Sequence, residues 1–218
     1  MGQVITALQQ KGGAGKSTLL CCLSGFLAYD DARVVIVDTD PQRSCVQWAE
    51  EAEIPGLDVL EHRAERTLLE VISKLKKAYD VVLVDTAGYD SAIACYAIQA
   101  SDLILIPSRG SKRDVVGAAT TWKHVQTQVK GRKTPPQIRI AMWNVKPATL
   151  VYRHGREALE KAGLPLLQGT VNALTGFENM SWNGGLPDGE ALRAFGEFIA
   201  ALQLEALLDY YAGAQEVA

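Results

Sequence analysis

The chain has 218 residues, of which 48% are hydrophobic and 22% are charged, and its formal net charge is −3. This composition predicts one soluble globular domain over residues 1–218 with a sizeable core. No apolar run approaches the ~18 residues that a membrane-spanning helix needs, and the first ten residues lack the basic and apolar regions of a signal peptide. The sequence therefore predicts a cytoplasmic protein.

The predicted elements alternate regularly along the chain. Short apolar runs predict strands at 3–8, 34–37, 57–60, 81–84, 103–106, 138–143 and 164–167. Helical periodicity predicts helices at 16–29, 42–53, 65–77, 91–100, 111–130, 149–162 and 190–211, whereas the Gly- and Asn-rich stretch 169–189 predicts no element. The order predicts the α/β class, with a doubly wound, mostly parallel sheet, helices on both faces and ligands at the carboxyl ends of the strands.

The positive charge is concentrated in one part of the chain, which we call the basic segment. Residues 109–161 contain twelve Lys or Arg and three acidic residues, a net charge of +9, and the rest of the chain carries −12. A mildly acidic average therefore does not exclude a polyanionic partner.

A glycine-rich loop separates the first predicted strand from the first predicted helix, and its sequence is Gln10-Lys11-Gly12-Gly13-Ala14-Gly15-Lys16-Ser17-Thr18. In such a loop, backbone amides and the helix N-terminus surround phosphate oxygens, a lysine supplies charge and a serine hydroxyl ligates magnesium. The ordinary phosphate-loop pattern has glycine at position 10, where this chain has Gln10. It has instead a second lysine, Lys11, in the pattern K-G-G-x-G-K-[ST].

Three aspartates follow predicted strands. Asp38 and Asp40 come after the second strand, and Asp85 ends the fourth. Carboxylates at strand ends can hold the water shell of Mg²⁺ or position an attacking water, although each aspartate alone could equally cap a helix.

The loop resembles the deviant Walker A motif of the ParA/MinD family of ATPases. Three further stretches are similar to motifs of that family: DTDPQRS at 38–44, VVLVDTAG at 81–88 and SDLILIP at 101–107. The matches cover about the first 110 residues. The short, ParF-like plasmid partition ATPases are the most similar group, because they too begin at the first strand.

The resemblance implies a P-loop fold, ATP and Mg²⁺ as cofactors, and roles for individual residues. Lys16 would contact the β- and γ-phosphates, Ser17 and Asp85 would bind Mg²⁺, and Asp38 would support the magnesium shell. The remaining nucleotide-binding residues would be Gly12, Gly13, Ala14, Gly15 and Thr18.

The resemblance also implies how the protein works with partners. Lys11 would reach the nucleotide of a second subunit, so that a homodimer encloses two ATP molecules, and Asp40 would orient the hydrolytic water. A ParB-like or other small adaptor protein would stimulate hydrolysis. Asn144 stands where the family contacts the base, and its amide suits adenine N6, but a turn explains an asparagine there equally well.

Family members bind DNA non-specifically as ATP-bound dimers, and the basic segment is the candidate surface here. We expect Lys112, Arg113, Lys123 and Lys130, with Arg153, Arg156 and Lys161, to contact the phosphate backbone without reading bases. The alternative is a solvated face. The chain departs from the family in having only Arg193 as a basic residue after Lys161.

The leading function is therefore an ATP-dependent dimerisation switch that hydrolyses ATP to partition DNA or position cargo on the nucleoid. A MinD-like, membrane-associated ATPase is the alternative, but the last predicted helix carries acids and no lysine, so no membrane partner is expected. An electron-transfer ATPase would use Cys95, yet no second cysteine follows it. ATP-dependent ligases of this fold do not need Lys11.

Overall fold

Seven strands form a single sheet in the computed structural model, which describes residues 1–210 apart from the side chains of Ser181 and Asn183. The strands are β1 (Gln3–Ala7), β2 (Val34–Asp38), β3 (Leu57–Glu61), β4 (Val81–Asp85), β5 (Leu103–Ser108), β6 (Gln137–Val145) and β7 (Leu166–Asn172). Their order is β3-β2-β4-β1-β5-β6-β7, and every neighbouring pair is parallel. The predicted α/β class is confirmed.

Within residues 1–210, eight α-helices cover the two faces of the sheet. They are α1 (Lys16–Tyr29), α2 (Ser44–Ala52), α3 (Leu68–Ala78), α4 (Ala92–Ala100), α5 (Lys112–Gln128), α6 (Leu150–Lys161), α7 (Thr175–Asn183) and α8 (Gly189–Leu204). One face packs against α1, α2, α7 and α8, and the other against α3 to α6. Strands buried on both faces need continuous apolar runs, which explains why β1, β2, β4 and β5 read so clearly in the sequence. Among the described helices, none combines the length and apolar character required to cross a bilayer.

The segment after β6 departs most from the sequence prediction. We predicted a strand at 164–167 and no further element before residue 190, but β7 runs to Asn172 and α7 follows it. The glycines misled the prediction because they serve close packing: a Cβ at Gly169 would lie 2.7 Å from Cβ of Ala201, and one at Gly176 would lie 2.6 Å from Cβ of Ala191. The last helix ends at Leu204 rather than 211, and position 211 lies outside the described residues.

The topology changes direction at β1, and this places the site. β1 lies between β4 and β5, so the chain continues to one side of β1 through β2 to β4 and to the other through β5 to β7. Ligands of open α/β sheets bind in the crevice at the carboxyl ends of the strands where such a reversal occurs. The loops that follow β1, β2, β4 and β5 all begin at this carboxyl edge of the sheet.

Candidate nucleotide-binding site

The glycine-rich loop follows β1 and leads directly into α1. Gly13 and Gly15 have positive φ angles of 70° and 93°, and Gly15 precedes the first residue of α1. A Cβ at Gly15 would also collide with the indole ring of Trp143. Glycine is therefore required at position 15 both by backbone conformation and by the close approach of β6.

A cavity of about 910 Å³ opens over this loop, at the upper end of the range for small-ligand sites. One wall consists of residues 12–18, and Asp40, Ala87 and Arg109 line it from the loops after β2, β4 and β5. The opposite wall carries Trp48 of α2 and two residues of α7, Phe177 and Met180. Elements that lie far apart in the sequence thus meet around the phosphate loop.

Lys16 and Ser17 are the first two residues of α1, and both line the cavity. Lys16 is buried, lines the cavity and forms no ion pair with any residue that the structure describes. Ser17 lines the same cavity, and its Oγ donates a 2.6 Å hydrogen bond to Oδ2 of Asp85. An unneutralised ammonium beside free loop amides is suited to a phosphate group.

Asp85 ends β4 in a fully buried position. Its Oδ1 has no hydrogen-bond partner among residues 1–210, and burial raises the pKa of the carboxyl to about 6. Oxygen donors of this kind, a hydroxyl and a carboxylate with an unused oxygen, suit Mg²⁺. Ser17 and Asp85 therefore fit the ion in chemistry, and their binding of Mg²⁺ remains a prediction.

Asp38 lies beside Asp85, but both of its oxygens accept backbone hydrogen bonds. Oδ1 accepts from the amide of Asp40 at 3.0 Å, and Oδ2 accepts from the amides of Cys45 at 3.0 Å and Val46 at 3.2 Å. Burial raises the pKa of Asp38 even though these amides favour the ionised form. Asp38 thus caps the N-terminus of α2 and fixes the loop that carries Asp40, and its part in the magnesium shell remains a prediction.

Asp40 is half-buried and lines the cavity, as a residue that orients a water must. Its Oδ1 accepts the amide of Gln42 at 2.8 Å, and its carbonyl accepts the amide of Arg43 at 2.9 Å. These bonds form a local turn that holds the carboxylate in place while one of its oxygens stays available.

Lys11 forms an ion pair that sequence reasoning missed. Its Nζ lies 2.7 Å from Oδ1 of Asp114, a residue of α5 that is 2% exposed. Burial alone would raise the pKa of Asp114, but the hydrogen bonds from Lys11 and Ser111 hold it below its ordinary value. The signal for α5 was present, because Ser111 and Asp114 have the spacing of an N-terminal helix cap, yet nothing in the sequence connected that cap with Lys11.

Asn144 does not line the cavity in this structure. It has a φ of 53° and lies within β6 where the register with β7 shifts between Trp143 and Val145. Asparagine tolerates this left-handed conformation better than most residues, which accounts for it as a β-bulge. Its contact with adenine remains a prediction.

The basic segment does not form one continuous face. Three of its twelve cations are paired within the chain: Arg139 with Glu205, Arg156 with Glu160, and Lys161 with Glu157. Helix α5 has 17 residues and so separates its two ends by about 25 Å. Arg109, the first residue of the basic segment, lines the cavity, and its contact with DNA remains a prediction.

Comparison with known proteins identifies the family that this site belongs to. The model of the family described as "VirC1 protein" matches residues 2–186. The chain belongs to the VirC1 family of ParA-like proteins. The match includes the phosphate loop, all three aspartates and the whole of β1 to α7.

The VirC1-family assignment agrees with individual relatives. The chain is 36% identical to Protein ParA of Rhizobium radiobacter over 117 residues, which is 53% of either protein. It is 30% identical to the Maintenance of carboxysome distribution protein A of Gloeobacter kilaueensis over 185 residues, or 84% of this chain and 82% of that protein. The chain therefore spans about half the length of one relative and most of the other.

The fold of this VirC1-family chain is also that of a solved structure, the septum site-determining protein MinD of Pyrococcus horikoshii complexed with Mg-ADP. The two superimpose with a TM-score of 0.76 over 95% of this chain and 97% of MinD, at 17% sequence identity. At this identity the likeness shows the fold alone.

Replacing Asp85 by asparagine tests the electrostatic strain at the site. The folded-state pKa of about 6 lies above the ordinary 3.8, so ionised Asp85 costs stability as pH rises from about 4 to about 6. Without nucleotide and Mg²⁺, Asp85→Asn should therefore be more stable than wild type at pH 7.5, by on the order of 2 kcal/mol, and this difference should become smaller at pH 4.5. Urea unfolding at the two pH values measures this.

Asp80→Asn is the matched control, since the ion pair with Arg33 lowers the pKa of Asp80 and its loss should destabilise the protein at pH 7.5. An Asp85→Asn protein that is less stable than wild type at both pH values would contradict the account.

Proposed function

We propose that this chain is a ParA-type ATPase, with residues 1–218 acting as one P-loop domain. It binds ATP and Mg²⁺ in the cavity over the phosphate loop, dimerises in the ATP-bound state and hydrolyses ATP to ADP and phosphate to position DNA or another cargo. The observation that carries the proposal is the loop with two lysines: Lys16 lines the cavity and has no ion-pair partner among residues 1–210, whereas Lys11, just before the lining residues in sequence, pairs with Asp114. A simple nucleotide-binding turn has no use for the second lysine.

The phosphate loop and Asp85 carry the groups that support binding of nucleotide and magnesium. The amides of residues 12–18 and the charge of Lys16 suit the phosphates, and the Ser17 hydroxyl with the carboxylate of Asp85 suits Mg²⁺. Bound magnesium would neutralise part of the charge on the phosphates. The complex of MinD from Pyrococcus horikoshii with Mg-ADP supports this choice of cofactors.

Hydrolysis needs a group that orients water, and Asp40 has the position for it. Asp40 lines the cavity, and its carboxylate is held by the turn to Gln42. Asp38 helps indirectly, because the amide of Asp40 donates to it. The same loop continues into α2, so movement of Asp40 would be transmitted to a helix that also lines the cavity.

Lys11 supplies the link between nucleotide and dimerisation. In this structure it is occupied by Asp114 of its own chain. Reaching the nucleotide of a second subunit requires it to leave Asp114, so ATP binding by two subunits together would have to exceed the free energy of that ion pair. The pair therefore sets a threshold for dimer formation.

The relatives favour positioning of DNA or cargo over positioning at a membrane. Their names refer to ParA and to maintenance of carboxysome distribution. Helix α8, the last complete helix of the described residues, buries Phe195, Phe198 and Leu202 in the core and so cannot present that apolar face to lipid. The MinD-like alternative is therefore less favoured.

Non-specific DNA binding would place the ATP-bound dimer on the nucleoid within the cytoplasm. If two subunits meet at the carboxyl edge, where Lys11 lies, the basic residues at that edge face the dimer interface. The exposed lysines that stay accessible are then Lys123, Lys130 and Lys133, which lie along α5 and in the turn after it. The structure pairs none of these three with an acid, and all are suited to phosphate contacts.

ATP hydrolysis with and without non-specific duplex DNA tests the proposed activity. Wild type should hydrolyse ATP in a Mg²⁺-dependent manner and faster with DNA. Asp40→Ala should lower kcat by roughly 100-fold or more while ATP-dependent dimers persist, because it removes the group that orients water. Lys11→Ala should bind ATP as a monomer and lose DNA stimulation.

Lys74→Ala is the control for the loss of a lysine, because Lys74 is exposed and pairs only with Glu70 on α3. Full activity and dimerisation of Lys11→Ala would indicate an ordinary kinase or ligase site and contradict the proposed function.

DNA binding by the ATP-bound dimer should depend steeply on salt. Four to six phosphate contacts per dimer predict a slope of log affinity against log salt of roughly −4 to −5. Lys130→Ala with Lys133→Ala removes four charges per dimer and should make the slope shallower by up to about 3 to 4. Fluorescence anisotropy of a labelled duplex at 50–300 mM salt, with ATP or ADP, measures it.

The control is Lys161→Ala, since Lys161 already pairs with Glu157 and should contribute little to the slope. Binding that is independent of salt, or equal with ATP and ADP, would overturn the DNA proposal and leave ATP hydrolysis untouched.

A further inference from the structure

Arg109 is a cation at the nucleotide cavity that neither the phosphate-loop pattern nor the family motifs quoted above assign. It is the residue directly after β5 and lines the cavity together with the phosphate loop, Asp40 and Ala87. Its side chain is exposed, and it forms no ion pair or side-chain hydrogen bond with any residue between 1 and 210. An arginine held at a cavity mouth without an acidic partner has its five donors available for a ligand.

The backbone beneath Arg109 is held by close packing against α6. Gly110 is buried and has a φ of 84°, and a Cβ on it would lie 3.1 Å from Cε of Met142. On the other side, Gly155 of α6 sits so close to the carbonyl oxygen of Gly110 that it has no room for a Cβ. Two glycines thus fix the turn that presents Arg109, so the guanidinium is attached to a rigid support rather than to a free loop.

The balance of charge among the residues that line the cavity favours a phosphate-binding role for this arginine. The lining cations are Lys16 and Arg109, and the lining acids are Asp40 and Glu51. A bound triphosphate would bring more negative charge than one lysine can neutralise. The planar guanidinium forms two parallel hydrogen bonds to phosphate oxygens, a geometry that a lysine cannot reproduce.

The geometry points to Arg109 as a second phosphate-contacting cation, which binds the phosphates of the nucleotide in its own subunit together with Lys16. This rests on the proposed ATP binding. It removes Arg109 from the DNA-binding surface and makes the loop after β5 part of the nucleotide site. The same loop leads through Ser111 to Asp114, so one short segment carries both the arginine that meets the nucleotide and the carboxylate that holds Lys11.

Equilibrium binding of fluorescent ATP and ADP analogues in the presence of Mg²⁺, without DNA, tests the inference. Arg109→Ala should weaken nucleotide binding roughly tenfold, since a hydrogen-bonded contact to a charged group is lost, and Arg109→Lys should recover only part of it. Gly155→Ala should also weaken binding, because it displaces the turn at Gly110 without touching the nucleotide. Weaker binding of ATP alone, or of both ATP and ADP, by Arg109→Ala would support the contact between Arg109 and the phosphates.

Two other arginines separate this contact from general charge effects. Arg193 lies exposed on α8, outside both the cavity and the basic segment, so Arg193→Ala should keep wild-type nucleotide affinity. Arg66→Ala keeps it as well, because Arg66 is exposed before α3 and does not line the cavity. Equal nucleotide affinity of Arg109→Ala and wild type would overturn the inference and leave the proposed function standing, whereas failure of wild type to bind either nucleotide would overturn the proposed function itself.

Discussion

The ion pair between Lys11 and Asp114 connects the two halves of the molecule. Asp114 is buried at the start of α5, and an isolated carboxylate there would be costly, so its ionisation depends on Lys11 and Ser111. The same helix holds the residues that precede Lys11, because Thr121 Oγ1 accepts the amide of Gln10 at 3.1 Å. The start of the phosphate loop is therefore positioned by α5 as much as by β1, and any movement of Lys11 changes the environment of α5.

On the other side of the site, at the ends of β2 and β4, two carboxylates are buried. Asp38 and Asp85 lie in the core at the ends of β2 and β4, and burial raises the pKa of both. Both carboxylate oxygens of Asp38 accept hydrogen bonds from backbone amides of the segment that begins at Asp40. Oδ1 of Asp85, in contrast, has no hydrogen-bond partner among residues 1–210. Asp38 therefore positions the loop that carries Asp40, whereas Asp85 has an oxygen available for a ligand. The buried charge of Asp85 destabilises the ligand-free protein, and a bound cation would relieve that destabilisation.

Much of the fold was accessible from the sequence because its strands are buried on both faces and therefore appear as continuous apolar runs. The phosphate loop and the aspartates were found because their chemistry depends on residue type at fixed spacing. The ion pair of Asp114 with Lys11 and the position of Arg109 at the cavity were missed for the opposite reason, since both residues belong to a charged segment whose net charge does not show where each side chain lies. Helix α7 was missed because the stretch 169–189 is rich in Gly and Asn, although Gly176 permits contact with Ala191 on α8. Contacts between distant elements leave no mark on local patterns.

The central claim is that Lys11 exchanges Asp114 for the nucleotide of a second subunit. Sedimentation velocity with a non-hydrolysable ATP analogue tests it most directly, by comparing wild type, Lys11→Ala and Asp114→Asn. Asparagine can still accept the hydroxyl of Ser111, the N-cap of α5, but cannot hold Lys11 by charge. Asp114→Asn should therefore dimerise at a protein concentration roughly tenfold below wild type, with two pairs released per dimer. Lys11→Ala should stay monomeric. An Asp114→Asn protein that binds the analogue yet dimerises no better than wild type would contradict the account.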